Sequence, residues 1–183
     1  MSVLKIEMLG SEVLRRRAGE IDEVDDDLRR LVRDMFETMY DAEGIGLAGP
    51  QVGVERRVIV VDVREEGTAP MALINPRIVE SSTERDRAEE GCLSIPGVAG
   101  VVERASRVVV EAVSDNGEPL RVEADGLLGR CLQHEIDHLD GVLFVDRLSP
   151  LKRNMVLKKY RSLVAEERKP EDRRGGRAAR ARG

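Results

Sequence analysis

The sequence predicts an α+β domain of mostly antiparallel strands, closed by a C-terminal helix. Three observations carry that expectation. Strand-like segments outnumber helical ones, they follow one another with few intervening helices, and late in the chain the apolar period changes from two to three and four.

The elements follow in order. Asp25-Asp26-Asp27 precedes Leu28, Leu31, Val32, Met35 and Met39, which recur at helical spacing, and Gly44 lies just past the end. This reads as a capped amphipathic helix. Residues 56–63 (RRVIVVDV) read as a buried strand, and residues 71–80, 101–114 and 118–123 as further strands. Asn116-Gly117 is a hairpin signal between the last two. Asp125 is placed to cap a helix running to about Leu139, with Asp140-Gly141 as its stop. Ser149-Pro150 opens a second helix, which carries Leu151, Met155, Leu157, Leu163 and Val164 and ends before Pro170. Residues 173–183 offer nothing to a core and are expected to be disordered.

At 183 residues the chain suits one domain, or one with an appendage. Residues 1–168 are expected to form that domain and 169–183 a basic tail. Hydrophobic residues are 41% and charged residues 36%, and no run reaches the ~20 apolar residues of a membrane span, so no membrane partner is expected. The first ten residues lack the order of a secretory signal, and two cysteines make no disulfide framework. A reducing, cytoplasmic setting follows. Aromatics are only 2%, too few for a base-stacking platform, and no DNA partner is expected.

Charge is unevenly spread. Residues 151–183 hold 12 basic and 4 acidic groups; the other 150 hold 18 and 31. A basic end on an acidic body suits either a polyanion such as RNA or a plainly solvated helix and tail.

His134-Glu135-Ile136-Asp137-His138 is an H-E-x-x-H motif on a predicted helix. Histidines four apart share a helix face and reach one metal ion, and the Glu beside the first can act as a base on water at that ion. The chain has only these two histidines. A catalytic metal normally has three protein ligands, so the third must be a carboxylate or a thiolate. In the longer metalloprotease pattern, Phe144 stands where a further His belongs. Glu166, Glu167 and Glu171 are unmarked candidates; Cys131, on the same helix, reads better as a small buried hydrophobe; Cys92, in EGCLSIPG, lies on a predicted loop that could approach the helix. The glycine-rich run from Gly44 to Gly53 lacks a nucleotide-binding order. It suits a tight turn, or close backbone approach to an extended ligand with Gln51 as an amide donor.

Taken together, GIGLAGPQ, EGCLS and QHEIDH, in this order and at these separations, resemble the three motifs of the peptide deformylases. DMFETMYDAEGIGLAGPQVG, INPRIVE, ADGLLGRCLQHEIDHLDG and LFVDRLSPLK extend the likeness over about residues 3–165, close to the type of Gram-negative bacteria. The resemblance implies antiparallel strands around a central helix bearing H-E-x-x-H, a monomer, and removal of the formyl group from the N-terminal methionine of nascent chains. It implies Cys92, His134 and His138 as metal ligands, Glu135 as acid–base, and the Gln51 side chain and Leu93 N–H as oxyanion donors. It also implies Fe²⁺ as the usual metal, with Ni²⁺ or Co²⁺ active and Zn²⁺ often poorly so. One departure is Gly49, where the family usually has Ala; an added glycine is expected to loosen the turn before Gln51.

The methionine side chain needs an apolar pocket. Ile45, Leu127 and Cys131 are candidates, the last two on the histidine face of the helix. The substrate backbone is expected to pair beside residues 44–47, Gly46 included. Arg104 is either a substrate contact or a solvated strand-end charge. Ribosome docking through residues 149–183 is a separate expectation. A metalloprotease and a metal-stabilised RNA-binding module are the competing readings.

Overall fold

The computed structural model describes residues 2–168; Met1 and the expected basic tail lie outside the described residues. The elements are α1 (Asp26–Asp41), β1 (Gly46–Ala48), β2 (Val58–Val61), β3 (Met71–Ser81), β4 (Arg85–Cys92), β5 (Ile95–Ala105), β6 (Arg107–Val113), β7 (Pro119–Asp125), α2 (Gly126–Leu139) and α3 (Pro150–Glu167), with single 3₁₀ turns at Glu12–Arg15, Gly49–Val52 and Phe144–Arg147. The α+β expectation holds.

The strands form two antiparallel sheets. One has five strands in the order β1-β2-β3-β6-β7; the other is the pair β4-β5. In β2 the alternation of the pleat sends Ile59 to one face and Val58 and Val60 to the other. Both faces are covered, which is why the segment reads as an unbroken apolar run. α2 lies on the first face, where Leu132, Ile136 and Leu139 meet Ile59, Val61 and Leu73. α1 covers the second, where Leu28, Val32, Met35 and Met39 meet Val58, Val60 and Ile74. Each such side chain contributes roughly 1.5–3 kcal/mol by leaving water. A third cluster joins Ile95, Val98 and Val102 of β5 to Leu143, Phe144, Leu148 and Tyr160, and so fastens α3 to the two-stranded sheet.

Local signals explain the helix starts. The Asp25 carboxylate accepts the Leu28 N–H at 2.7 Å, and Ser149 caps α3 with Pro150 behind it. Asp125 stands at the N-cap of α2 but its side chain makes no capping bond, contrary to expectation.

Two further expectations are corrected. The strand predicted over 101–114 is two strands that part at Ser106, where the chain leaves one sheet and enters the other. The apolar pattern runs through the break because both sheets bury a face. The predicted loop around Cys92 is instead the tip of a hairpin: Cys92 pairs with Ile95, and Leu93-Ser94 make the turn.

Candidate active site

α2 carries the two histidines one turn apart, their rings 5.0 Å between centroids and 68° to each other. The tip of the β4-β5 hairpin brings Cys92 against them. Its Sγ lies 3.3 Å from His138 Nε2, and the ligand atoms of Cys92, His134 and His138 all fall within 4.8 Å of one another. Beside them Glu135 is 4% exposed, and its Oε2 has no hydrogen-bond partner among the described residues. A thiolate, two imidazoles and an orphaned carboxylate oxygen fit one divalent ion of the Fe, Co, Ni or Zn kind with a base next to it. Burial pushes the Glu135 carboxyl up to about 7 and holds His138 well below the ordinary imidazole value, hence neutral and ready to ligate.

His134 is tethered from behind, with its Nδ1 3.0 Å from Glu90 Oε2, which turns Nε2 toward Cys92. Glu90 in turn accepts from Nε and Nη2 of Arg104 and from Arg130 Nη1 at 2.8 Å. Arg104 also reaches Asp137 at 2.9 Å, and Asp137 accepts twice from Arg147. Burial alone would raise the Glu90 carboxyl; the bonds from His134 and Arg104 overcome it and hold the group well below the usual carboxylate range. Arg104 is therefore neither a solvated charge nor on the wall of the cleft. It is 4% exposed and buttresses Glu90. Glu90 and Arg130 escaped the sequence reading. The signal was an arginine inside the apolar stretch GLLGRCL, which demands a buried counter-charge.

The opposite wall is backbone. Gly46 lies so close to α2 that a Cβ there would fall 2.5 Å from Glu135 Oε1 and 2.7 Å from Cys131 Sγ. Gly44 packs on Leu93, whose Cδ1 would be 2.7 Å from an added Cβ. Gln51 is buried and oriented: its Oε1 accepts the Ala48 N–H at 2.9 Å, and its Nε2 donates to Ser94 Oγ at 3.2 Å and faces Cys92 Sγ at 3.5 Å. The Leu93 N–H has no partner among the described residues. Gly49 does not loosen this turn. A Cβ there would sit 2.7 Å from the Arg56 carbonyl, so the turn is closed tightly around it. Between the walls lies a cavity of about 620 Å³ that Ile45, Gly46, Leu127 and Cys131 line together with Cys92, His134 and Glu135.

Residues 3–154 match the family model for polypeptide deformylase. The chain is 55% identical over 159 residues to a peptide deformylase of Chromohalobacter salexigens, covering 87% of this chain and 94% of that one, and 50% identical over 168 residues to one of Brucella suis, covering 91% and 96%. The chain belongs to the peptide deformylase family. Among solved structures it resembles the peptide deformylase of Legionella pneumophila (TM-score 0.86, 45% identity, 92% of this chain and 100% of that one). It also resembles that of Synechococcus elongatus in complex with actinonin (TM-score 0.81, 49% identity, 85% and 86%). As a peptide deformylase the protein is a metal-dependent hydrolase of protein biosynthesis. It removes the formyl group from the N-terminal formyl-methionine of newly synthesised polypeptides and releases formate. The protease and binding-module readings fall away with that assignment. No helix among the described residues is long and apolar enough to cross a membrane.

Proposed function

We propose that Cys92, His134 and His138 hold the catalytic ion, that Glu135 moves the proton, and that the Gln51 amide and the Leu93 N–H receive the charge developing on the formyl oxygen. The convergence of one thiol, two imidazoles and an unpartnered buried carboxylate within one cavity carries this reading. An ion held there supplies Lewis acidity and water of lowered pKa. Glu135, lifted to about 7, is poised to take a proton near neutral pH and return it to the departing amine. Gln51 is held by Ala48 and Ser94 before substrate arrives, so its donor needs no reorganisation. The methionine side chain enters between Ile45, Leu127 and Cys131. The substrate backbone runs along β1, the edge strand of its sheet.

One thiolate and two imidazoles accept Fe²⁺, Co²⁺, Ni²⁺ or Zn²⁺ alike, and on the family likeness we assign Fe²⁺ as the native metal, with Ni²⁺ and Co²⁺ as working substitutes and Zn²⁺ as a poor one. Residues 1–168 form the catalytic unit, a cytoplasmic monomer. The exposed bases of α3 (Lys152, Lys158, Lys159 and Arg161) suit docking on ribosomal RNA.

The test is release of free amine from formyl-Met-Ala-Ser by Ni²⁺-loaded protein, with acetyl-Met-Ala-Ser as control and metal counted per chain. Cleavage of the formyl peptide alone, with one ion per chain that is lost in Cys92→Ala, supports the assignment. Full metal content in Cys92→Ala overturns the ligand set.

A further inference from the structure

The glycine wall of the cleft is held from outside by one arginine. Arg64 follows β2, is exposed, and sends its guanidinium to the Gly44 carbonyl. The same guanidinium stands 5.5 Å over the Tyr40 ring. Tyr40 donates to Asp62 Oδ2 at 2.8 Å, the Arg64 N–H donates to Asp62 Oδ1 at 3.1 Å, and the Asp62 N–H donates to the Ile45 carbonyl at 2.9 Å. The end of α1, the end of β2 and the cleft-lining residues 44–46 are thereby closed into one ring. Backbone strain collects at the same place. Three non-glycine residues have positive φ among the described residues, and two of them, Glu43 (φ 55) and Arg64 (φ 54), flank this ring. Such conformations persist only where surrounding bonds over-determine them.

The segment so held is the one a peptide must run along. Ile45 bonds toward β2, and antiparallel alternation then turns Gly44, Gly46 and Ala48 outward, on the free edge of β1. Ala48 spends its outward N–H on Gln51, and Arg64 takes the outward carbonyl of Gly44. Gly46 is left facing the cleft, with Glu135 on one side and Leu93 packed against Gly44 on the other.

We propose that Arg64 is a positioning residue for the substrate: by fixing the Gly44 carbonyl it sets the main-chain edge of residues 44–46 on which the peptide beyond the methionine docks. The proposal rests on the reading of β1 as the substrate-pairing edge. Burial and Asp62 push the Tyr40 phenol up to about 12, so it stays a donor to Asp62 across the working range and keeps the ring closed.

The experiment compares kcat and KM of the metal-loaded wild type, Arg64→Ala and Arg64→Lys on formyl-Met-Ala-Ser and on formyl-methionine amide. Arg64→Ala is expected to raise KM for the tripeptide roughly threefold to tenfold, with kcat little changed and the amide unaffected. Arg64→Lys, which keeps the charge but loses the planar fork over Tyr40, is expected to fall between. An unchanged or lowered KM for the tripeptide overturns the proposal. So does an equal loss on both substrates, or a fall in thermal stability with unchanged KM, since either marks a merely structural role. If the wild type itself gains nothing from the residues after methionine, the pairing edge was misread, and that failure is distinguishable from the failure of Arg64.

Discussion

The two walls of the cleft are held in opposite ways. Behind His134 lies a buried charge network in which Glu90 is gripped by Arg104 and Arg130, and Asp137 by Arg104 and Arg147. Across the cavity, residues 44–46 have no charge of their own on the cleft and are set by close packing of glycine backbone and by Arg64 at the rim. The difference follows from what each wall does. Metal ligands need fixed rings and a fixed tautomer, which low-dielectric hydrogen bonds supply. On the proposed reading the other wall offers its main chain to a peptide, and the missing Cβ at Gly46 is what lets that main chain lie so close to Glu135 and Cys131.

Perturbing each wall sharpens that contrast. The largest effect is expected from Glu135→Gln. It should leave metal content intact and lower kcat by about 10²–10⁴-fold, the usual worth of a positioned acid–base; near-normal turnover would remove Glu135 from the chemistry. Glu90→Gln comes next, acting on the charged wall. Metal affinity, read by competition with a chelator, should fall about 10- to 100-fold, as it does when a partner behind a ligating histidine is lost. The pH dependence has a definite sign. Glu90 is depressed in the fold from its ordinary value of 4.5, so its stabilisation is present above that pH and is lost as pH falls through the folded value. Denaturant titrations should therefore show wild type weakening below about pH 4.5, and Glu90→Gln weaker at neutral pH but flatter over the acid range.

On the backbone wall, Gly46→Ala should cost roughly tenfold or more in kcat/KM, because the new methyl must displace Glu135 or Cys131. Metal binding should survive it; loss of the ion instead would show that the walls are not independent. The smallest effect belongs to Tyr40→Phe. The phenol is raised from 10.0 to about 12, so its contribution is intact below pH 10 and vanishes as pH rises through the folded value. Wild type and variant should therefore differ in stability at neutral pH and converge at the alkaline end. Curves that stay parallel up to pH 12 would deny the Tyr40–Asp62 bond any role.

How much of this was legible in the sequence also divides along the two walls. α1, α2 and α3 announce themselves by their apolar period, and H-E-x-x-H marks two candidate ligands. The β4-β5 hairpin was hidden because β4, RDRAEEGC, leaves every residue but Glu90 at least partly exposed and reads as a charged loop. β1 was hidden because three residues, one of them glycine, carry no period at all. Arg104 was misjudged because Glu90 meets it only when β4 pairs with β5, and Asp137 only when that hairpin folds against α2. Gln51 could be singled out as an amide donor, but not the Ala48 and Ser94 contacts that aim it.

Phe144 stands where a longer motif would put another nitrogen, and it is buried, its ring stacked 6.4 Å from that of His134. The third candidate ligand, Cys92, lies instead on the hairpin of the two-stranded sheet. On the proposed ligand set, an ion shared by Cys92 and α2 would tie the two-stranded sheet to the helix that packs on the five-stranded one, closing a chain loop of about forty residues. The hairpin is not left to the ion alone, since Ile95, Val98 and Val102 of β5 also pack on Leu143, Phe144 and Leu148.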